Sequence, residues 1–246
     1  MKELTYGVLG GDMRQQKLAQ ALQSQGKQVA LWGFDQSPQP QIQQKEQVLS
    51  SDVIILPLPV TPDGVHIHMP LSKESMTFEE LLEQMPQESL AVGGNLPENV
   101  KLQAARASRE LVDYFEREEL KIRNSVPTVE GAVQIAMEEM GITLHGCRAL
   151  VLGYGRIGKL LCHTLGHLGC HVTAAARKYG DLAWIHCFGY EGVPFATYSQ
   201  HLGEYDVIFN TVPQKVLTGQ ELREIKKDAL IIDLASKPGG VDMEAA

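Results

Sequence analysis

The sequence predicts an α/β fold built as two doubly wound domains, with mainly parallel sheets and a cleft between them. Two observations predict it. Short apolar runs alternate with helical patterns along the chain, which implies sheets covered by helices on both faces. The alternation also begins twice, each time as an apolar strand that enters glycines and then a helix: YGVLGGDMRQ near the N-terminus and RALVLGYGRIG from Arg148.

In chain order, the strands are expected at Thr5–Leu9, Gln28–Trp32, Val53–Leu58, Leu90–Gly93 and Leu120–Arg123. A second series follows at Arg148–Leu152, His171–Ala175, Gly192–Phe195, Val207–Asn210 and Leu230–Leu234. Between strands the apolar period becomes helical. Ile157, Leu160, Leu161, Leu165 and Leu168 recur at three- and four-residue steps, as do Val129, Ala132, Val133, Ala136 and Met140, so each set lines one helix face. The two starts place the domains at 1–122 and 123–246, with 123–141 as a joining helix. Its entry, NSVPTVEG, offers Asn124 and Ser125 as caps and Pro127 near the first helical position, where the missing N–H costs nothing. Gln36–Gln47, rich in Gln and Pro, reads as a loop that can run into a short polar helix.

The 246 residues carry 43% hydrophobic and 21% charged side chains, a globular balance that supports a core in each half. A net charge of −8, with no basic stretch, argues against a nucleic-acid backbone as partner. No run reaches the roughly 18 apolar residues of a membrane span, and MKELTYGVLGGD reads as a strand entering a turn, not as a signal core. Cys147, Cys162, Cys170 and Cys187 form no CxxC pair, which fits thiols in a reducing cytoplasm.

Gly153-Tyr154-Gly155-Arg156-Ile157-Gly158 is a GxGxxG pattern. It follows the apolar run Ala149–Leu152 and opens an amphipathic helix, the context that gives the pattern meaning. Gly153 permits the tight turn, Gly155 admits a pyrophosphate to the backbone, and Gly158 lets helix and strand pack closely. N–H groups at the helix start then face phosphate charge. This is a Rossmann-type dinucleotide site, and it makes the C-terminal half the cofactor domain. NAD sites usually present Asp or Glu to the ribose about 20 residues after the first glycine. Here HVTAAA ends in Arg177-Lys178, with no acid before Asp181. A guanidinium suits a 2′-phosphate, so NADP is preferred over NAD. Two further strand ends point to the same crevice: Thr211, Val212 and Pro213 after one, and Leu234, Ala235 and Ser236 after the next. The N-terminal GGD turn lacks a third glycine, so that half is read as a substrate domain of Rossmann-like topology.

Several segments together resemble the family of dipicolinate synthase A subunits from endospore-forming bacteria. They are GGDMRQ (Gly10–Gln15), LWGFDQ (Leu31–Gln36), VIILPLPVT (Val53–Thr61), YFEREELKIRNSVPTVEGA (Tyr114–Ala132), VLGYGRIG (Val151–Gly158) and IIDLASKPGGVD (Ile231–Asp242). The resemblance implies an NADP-dependent oxidoreductase of the mother-cell cytoplasm. It would form pyridine-2,6-dicarboxylate from dihydrodipicolinate or 4-hydroxy-tetrahydrodipicolinate, beside a flavoprotein-like B subunit of dipicolinate synthase. It also implies a further strand and helix after DLASKPGG that this stretch does not include. A homo-oligomer is compatible with it.

A dicarboxylate substrate needs cationic or N–H groups and a proton acceptor. The start of the joining helix (Asn124, Ser125, Thr128) and Arg14, with Asp12 beside it, are the candidates for the carboxylates. Thr128 and Glu130 are the candidates for the chemistry, although a first-turn Glu also has a simple capping explanation and Asp12 a turn explanation. No metal is expected: His163, His167 and His171 do not share one helix face, and His66-Ile67-His68 lies in a loop without an evident carboxylate partner. Two alternative readings stand beside this one. A shikimate-dehydrogenase-like enzyme for a hydroxy or keto acid would require a Lys/Asp pair in the first domain, where no lysine ends a strand. A non-catalytic NADP-binding regulatory protein would bind nucleotide without turnover.

Overall fold

The computed structural model describes residues 3–39, 43–236 and 238–245. The chain divides into two compact units, Met1–Leu120 and Lys121–Ala246.

In the first unit the elements run β1 (Thr5–Leu9), α1 (Met13–Ser24), β2 (Gln28–Trp32), α2 (Lys45–Leu49), β3 (Val53–Ile55), α3 (Phe78–Gln84), β4 (Leu90–Gly93), α4 (Glu98–Arg106) and β5 (Glu110–Asp113). The strands pair in the order β2-β1-β3-β4-β5, all parallel. Neighbouring residues on a strand face opposite sides, so Leu9, Trp32, Ile54 and Ala91 join one core while Val8, Leu31 and Ile55 join another. Both faces being buried, the strands read as continuous apolar runs. Asp12 caps α1: its carboxylate accepts from Arg14 N, and the Gln15 side chain accepts from Asp12 N, which satisfies donors at the helix start.

α5 (Glu118–Glu139) starts at the end of the first unit and lies mostly in the second, which continues through β6 (Arg148–Leu152), α6 (Arg156–His167), β7 (His171–Ala176), α7 (Tyr179–Cys187), β8 (Glu191–Pro194), β9 (Val207–Asn210), α8 (Gly219–Glu224) and β10 (Leu230–Asp233). Its order is β10-β9-β6-β7-β8, again all parallel. Val129, Ala132, Val133 and Ala136 of α5 and Leu161 and Leu165 of α6 pack with Val151, Ala174 and Phe209. Leu150, Leu152, Ala175 and Ile208 pack on the other face with Leu202 and Leu217.

Most expected strands occur within a residue of their predicted bounds, but two strands and the start of the joining helix differ. Leu120–Arg123 is helix, and the fifth strand is Glu110–Asp113. EELKIR consists largely of strong helix formers, with Glu118 and Glu119 placed where the helix dipole favours acids. The edge strand ELVD is only half-buried, so it carries no strong apolar signal. The joining helix therefore begins at Glu118, and Pro127 lies inside it. Asn124 and Ser125 are not caps. The expected strand Val53–Leu58 stops at Ile55, two residues before Pro57, which has no N–H for a ladder. Gln36–Gln47 runs into the short helix α2, as the sequence allowed, and Pro40–Ile42 lie outside the described residues.

Leu150, fully buried at the centre of the second sheet, gives a test of this core. Leu150→Ala should cost about 2–5 kcal/mol, read as an earlier urea midpoint for the C-terminal unit. A loss well under about 1 kcal/mol would contradict the two-faced core described here.

Candidate nicotinamide-nucleotide site

In a doubly wound sheet, ligands bind beyond the carboxyl ends of the strands, where strand order reverses. In the second unit that point lies between β6 and β9. The turn after β6 is shaped by three glycines with three different surroundings. Gly153 has φ of 96°, a left-handed conformation that side chains resist, and a Cβ there would stand 3.0 Å from Val212. A Cβ on Gly158 would collide with the Gly153 carbonyl. At Gly155 nothing lies within 4 Å of the Cβ position. The outer two glycines are required by packing, whereas the middle one borders open space.

Gly155 is also the N-cap of α6, with no side chain capping the helix. N–H groups at such an end, with the helix dipole behind them, favour an anion. A pyrophosphate therefore fits what these residues offer: an uncapped helix start and a gap beside a glycine. Arg156 and Ile157 begin α6, and the buried Tyr154 packs with the core, its ring 5.5 Å from Lys159 Nζ. Burial pushes the Tyr154 hydroxyl up to about 12, so it stays protonated.

At the end of β7, Arg177 and Lys178 are exposed, and Lys178 is the N-cap of α7. Asp181, the first acid after them, lies 3.9 Å from Lys159 of α6. Thr211 is braced: its N–H and hydroxyl both donate to Leu152 O, at 3.0 and 2.8 Å. That contact closes the β6 and β9 ends together and occupies the Thr211 donors. Val212 and Pro213 continue this loop.

The loop carrying Leu234, Ala235 and Ser236 is held by a residue absent from the expected set. Asp233 accepts from Ala235 N (3.1 Å), Gly240 N (2.8 Å) and Val241 N (3.3 Å), and from Asn210 Nδ2 at 2.8 Å. Asn210, fully buried, also donates to Val212 O and accepts from Val212 N. Asp233 and Asn210 are register partners at the ends of β10 and β9, so this pair fixes both loops. The signal was present in sequence as polar residues ending two apolar strands. Desolvation would raise the Asp233 carboxyl, but the Gly240 N–H and the other donors outweigh it and hold it below the usual carboxylate value.

The first unit has the same strand-end geometry but a filled turn. Gly11 N donates to His68 O at 2.7 Å, and Met69 lies 2.6 Å from Cβ positions on Gly10 and Gly33. Arg14 forms a two-pronged pair with Asp12, Nε to Oδ1 at 3.0 Å and Nη2 to Oδ2 at 2.9 Å, and Nη2 also donates to Leu58 O. This hydrogen-bonded guanidinium holds the Asp12 carboxyl below its usual range. Asp12 is thus cap and brace for Arg14. Tyr114, near Arg14, donates to Leu56 O, and burial raises its hydroxyl to about 12.

Asn124, Ser125, Thr128 and Glu130 do not form the expected anion-binding helix end. They sit mid-helix, where Ser125 Oγ donates to Lys121 O and Thr128 Oγ1 to Asn124 O. Two residues apart on a helix means about 200° of rotation, so Thr128 and Glu130 point to opposite faces. Among the described residues no three His, Cys, Asp or Glu side chains gather as a metal set, and no helix is long and apolar enough to cross a membrane. His66 does have a carboxylate partner, Asp63, at 2.7 Å from its Nδ1. That surface pair corrects the expectation of none.

Residues 5–115 match the N-terminal domain of the dipicolinate synthase A subunit, and residues 124–245 match the NAD-binding domain of D-isomer specific 2-hydroxyacid dehydrogenases. The dipicolinate synthase A subunit of Bacillus subtilis (strain 168) is 34% identical over 261 aligned residues, covering 99% of this chain and 84% of that protein. The chain belongs to the dipicolinate synthase A-subunit family. Crystal structures of its members from Bacillus subtilis and from Bacillus halodurans each superpose with a TM-score of 0.88 at 32% identity over 100% of this chain, covering 85% and 87% of theirs. A transhydrogenase from Sinorhizobium meliloti, at 16% identity and a TM-score of 0.66 over 96% of this chain and 81% of its own, shares the fold. This family member is a dehydrogenase whose second domain takes a nicotinamide cofactor.

The glycines separate binding from folding. Gly155→Val, with φ of −81° open to any residue, should unfold like the parent yet lose nicotinamide nucleotide binding by calorimetry. Gly158→Val should instead destabilise the fold by about 1–3 kcal/mol. Retained affinity in the first variant would remove this turn from the cofactor site. Asp233 is charged in the fold at lower pH than when unfolded. Its stabilising contribution is present above the unfolded value and fades as pH falls through the lower folded one. Asp233→Asn should therefore flatten the acid limb of stability, while an unchanged limb would deny the clamp.

Proposed function

We propose that this chain is the A component of a dipicolinate synthase, an NADP-dependent oxidoreductase. It forms pyridine-2,6-dicarboxylate from dihydrodipicolinate or a 4-hydroxy-tetrahydrodipicolinate precursor, together with a flavoprotein-like B component in the mother cell of a sporulating bacterium. The observation that carries this reading is the 34% identity across 99% of the chain, joined to a glycine turn whose central residue borders open space.

Oxidation of a partly unsaturated ring to a pyridine is driven by the aromaticity of its product. The bound nicotinamide supplies the hydride acceptor. The protein supplies position and charge. The α6 start and Gly155 hold the pyrophosphate; Val212, Pro213, Leu234, Ala235 and Ser236 border the nicotinamide side of the crevice. Arg177, backed by Lys178, takes the 2′-phosphate, and the proximity of Asp181 to Lys159 supports NADP by engaging the first acid of that segment. Arg14, oriented by Asp12, binds a substrate carboxylate. Its Nε and Nη2 serve the protein, and among the described residues no group takes Nη1.

The decisive experiment is anaerobic incubation of the chain, with and without the B component, with NADP and freshly generated hydroxy-tetrahydrodipicolinate. NADPH absorbance should appear together with the ultraviolet bands of a pyridine dicarboxylate. Nucleotide binding without turnover in either mixture would sink the catalytic reading. Arg177→Ala should weaken NADP by about ten- to a hundredfold while sparing NAD. Arg14→Ala should raise the substrate KM with NADP affinity unchanged.

A further inference from the structure

At the N-terminal ends of the strands of the second sheet, opposite the glycine turn, two cysteines stand side by side. Cys147 immediately precedes β6 and Cys170 immediately precedes β7, and those strands are parallel with Arg148 opposite His171. The backbone pairing extends into the cysteines: His171 N donates to Cys147 O at 2.8 Å, and Gly146 N to Gly169 O at 2.9 Å. Adjacent strands lie about 4.8 Å apart, within the Cα range that a disulfide spans. By the same register the two residues are neighbours whose side chains project to one face of the sheet, and both pack in the same hydrophobic cluster.

Access is unequal. Cys147 is buried, whereas Cys170 is half-buried and lines a cavity of about 480 Å³ with His167, His171, Tyr190 and Glu191. The proximity of the two thiols lowers the pKa of Cys170, while that proximity and burial raise that of Cys147. One sulfur is therefore reachable and more acidic, and the other is sheltered beside it. That is the arrangement of an attacking and a resolving thiol. Neither cysteine belongs to the cofactor crevice.

We propose that Cys147 and Cys170 form a disulfide modification site that responds to small hydroperoxides. The Cys170 thiolate attacks a peroxide oxygen, the O–O bond breaks, and hydroxide leaves to give a sulfenic acid. Cys147 sulfur then attacks Cys170 sulfur, its proton leaves with the departing hydroxyl as water, and the S–S bond forms. The two thiols supply the two electrons that reduce the peroxide. Small-molecule thiols reverse the step by exchange. The bond would staple the starts of β6 and β7 and leave the Gly153–Gly158 turn untouched.

The test uses the full chain treated with stoichiometric hydrogen peroxide, alkylated while denaturing, and mapped by tryptic mass spectrometry. A linked pair of peptides, 124–148 with 160–177, should form, with fragmentation placing the bond on Cys170 and not Cys162, and dithiothreitol should remove it. The Cys147→Ser variant should stop at a sulfenic acid on Cys170, captured by dimedone. The half-buried position of Cys170 makes Cys170→Ser the variant that keeps its fold, and it should show no link to Cys147. Peroxide that labels the exposed Cys187 while Cys147 and Cys170 remain free thiols would overturn the proposal, as would a Cys147–Cys162 bond.

Discussion

The approach of the Gly158 Cα to the Gly153 carbonyl is the contact on which the cofactor half depends. It lets α6 lie against the end of β6 at a distance that no side chain permits, and so brings the uncapped start of α6 to the mouth of the sheet. Leu161 and Leu165, both fully buried, then anchor the helix to the core. Thr211 closes the other side by bonding Leu152 O. The candidate anion site is thus a by-product of tight packing, since the close contact of Gly158 with Gly153 sets where the uncapped helix start lies.

The first unit, whose sheet has a different strand order, shows what a similar glycine turn does without that contact. Its glycine turn also follows an internal parallel strand and also opens a helix, but the helix carries its own cap in Asp12 and Gln15. The carbonyl of His68 takes the Gly11 N–H, and Met69 fills the space that Gly10 and Gly33 leave. Donors that a phosphate would need are already satisfied inside the protein. What projects instead is Arg14, a cation held in shape by Asp12, which suits a small carboxylate better than a dinucleotide.

Strands buried on both faces were legible because burial forces continuous apolar runs; β1, β2, β4, β6 and β9 match residue for residue. The half-exposed edge strand β5 left no such mark, and Leu120 and Ile122 of α5 mimicked a strand inside a run of helix formers. Placing the helix start at Asn124 followed from trusting Pro127 as a first-turn signal. The missed start then carried the substrate assignments of Asn124, Ser125, Thr128 and Glu130 with it, since those rested on free N–H groups that a mid-helix position does not offer. The glycine fingerprint was legible because backbone sterics tie each glycine to a role. The Asp233–Asn210 clamp depends on two strands being neighbours, which local pattern alone does not encode.

That clamp explains how distant segments share one binding edge. In the proposed crevice four strand ends of the second unit come together, and contacts between neighbouring strand ends fix them. β6 and β9 are joined through Thr211, and β9 and β10 through Asn210 and Asp233. Charge at the end of β7 is sorted by the Lys159–Asp181 pair, whose carboxylate points its charge toward α6 while Arg177 stays exposed. A carboxylate near the adenosine ribose would repel a 2′-phosphate, and one engaged by a lysine repels it less. The proposed preference for NADP therefore rests on two residues acting together, the cation that is present and the anion that is occupied.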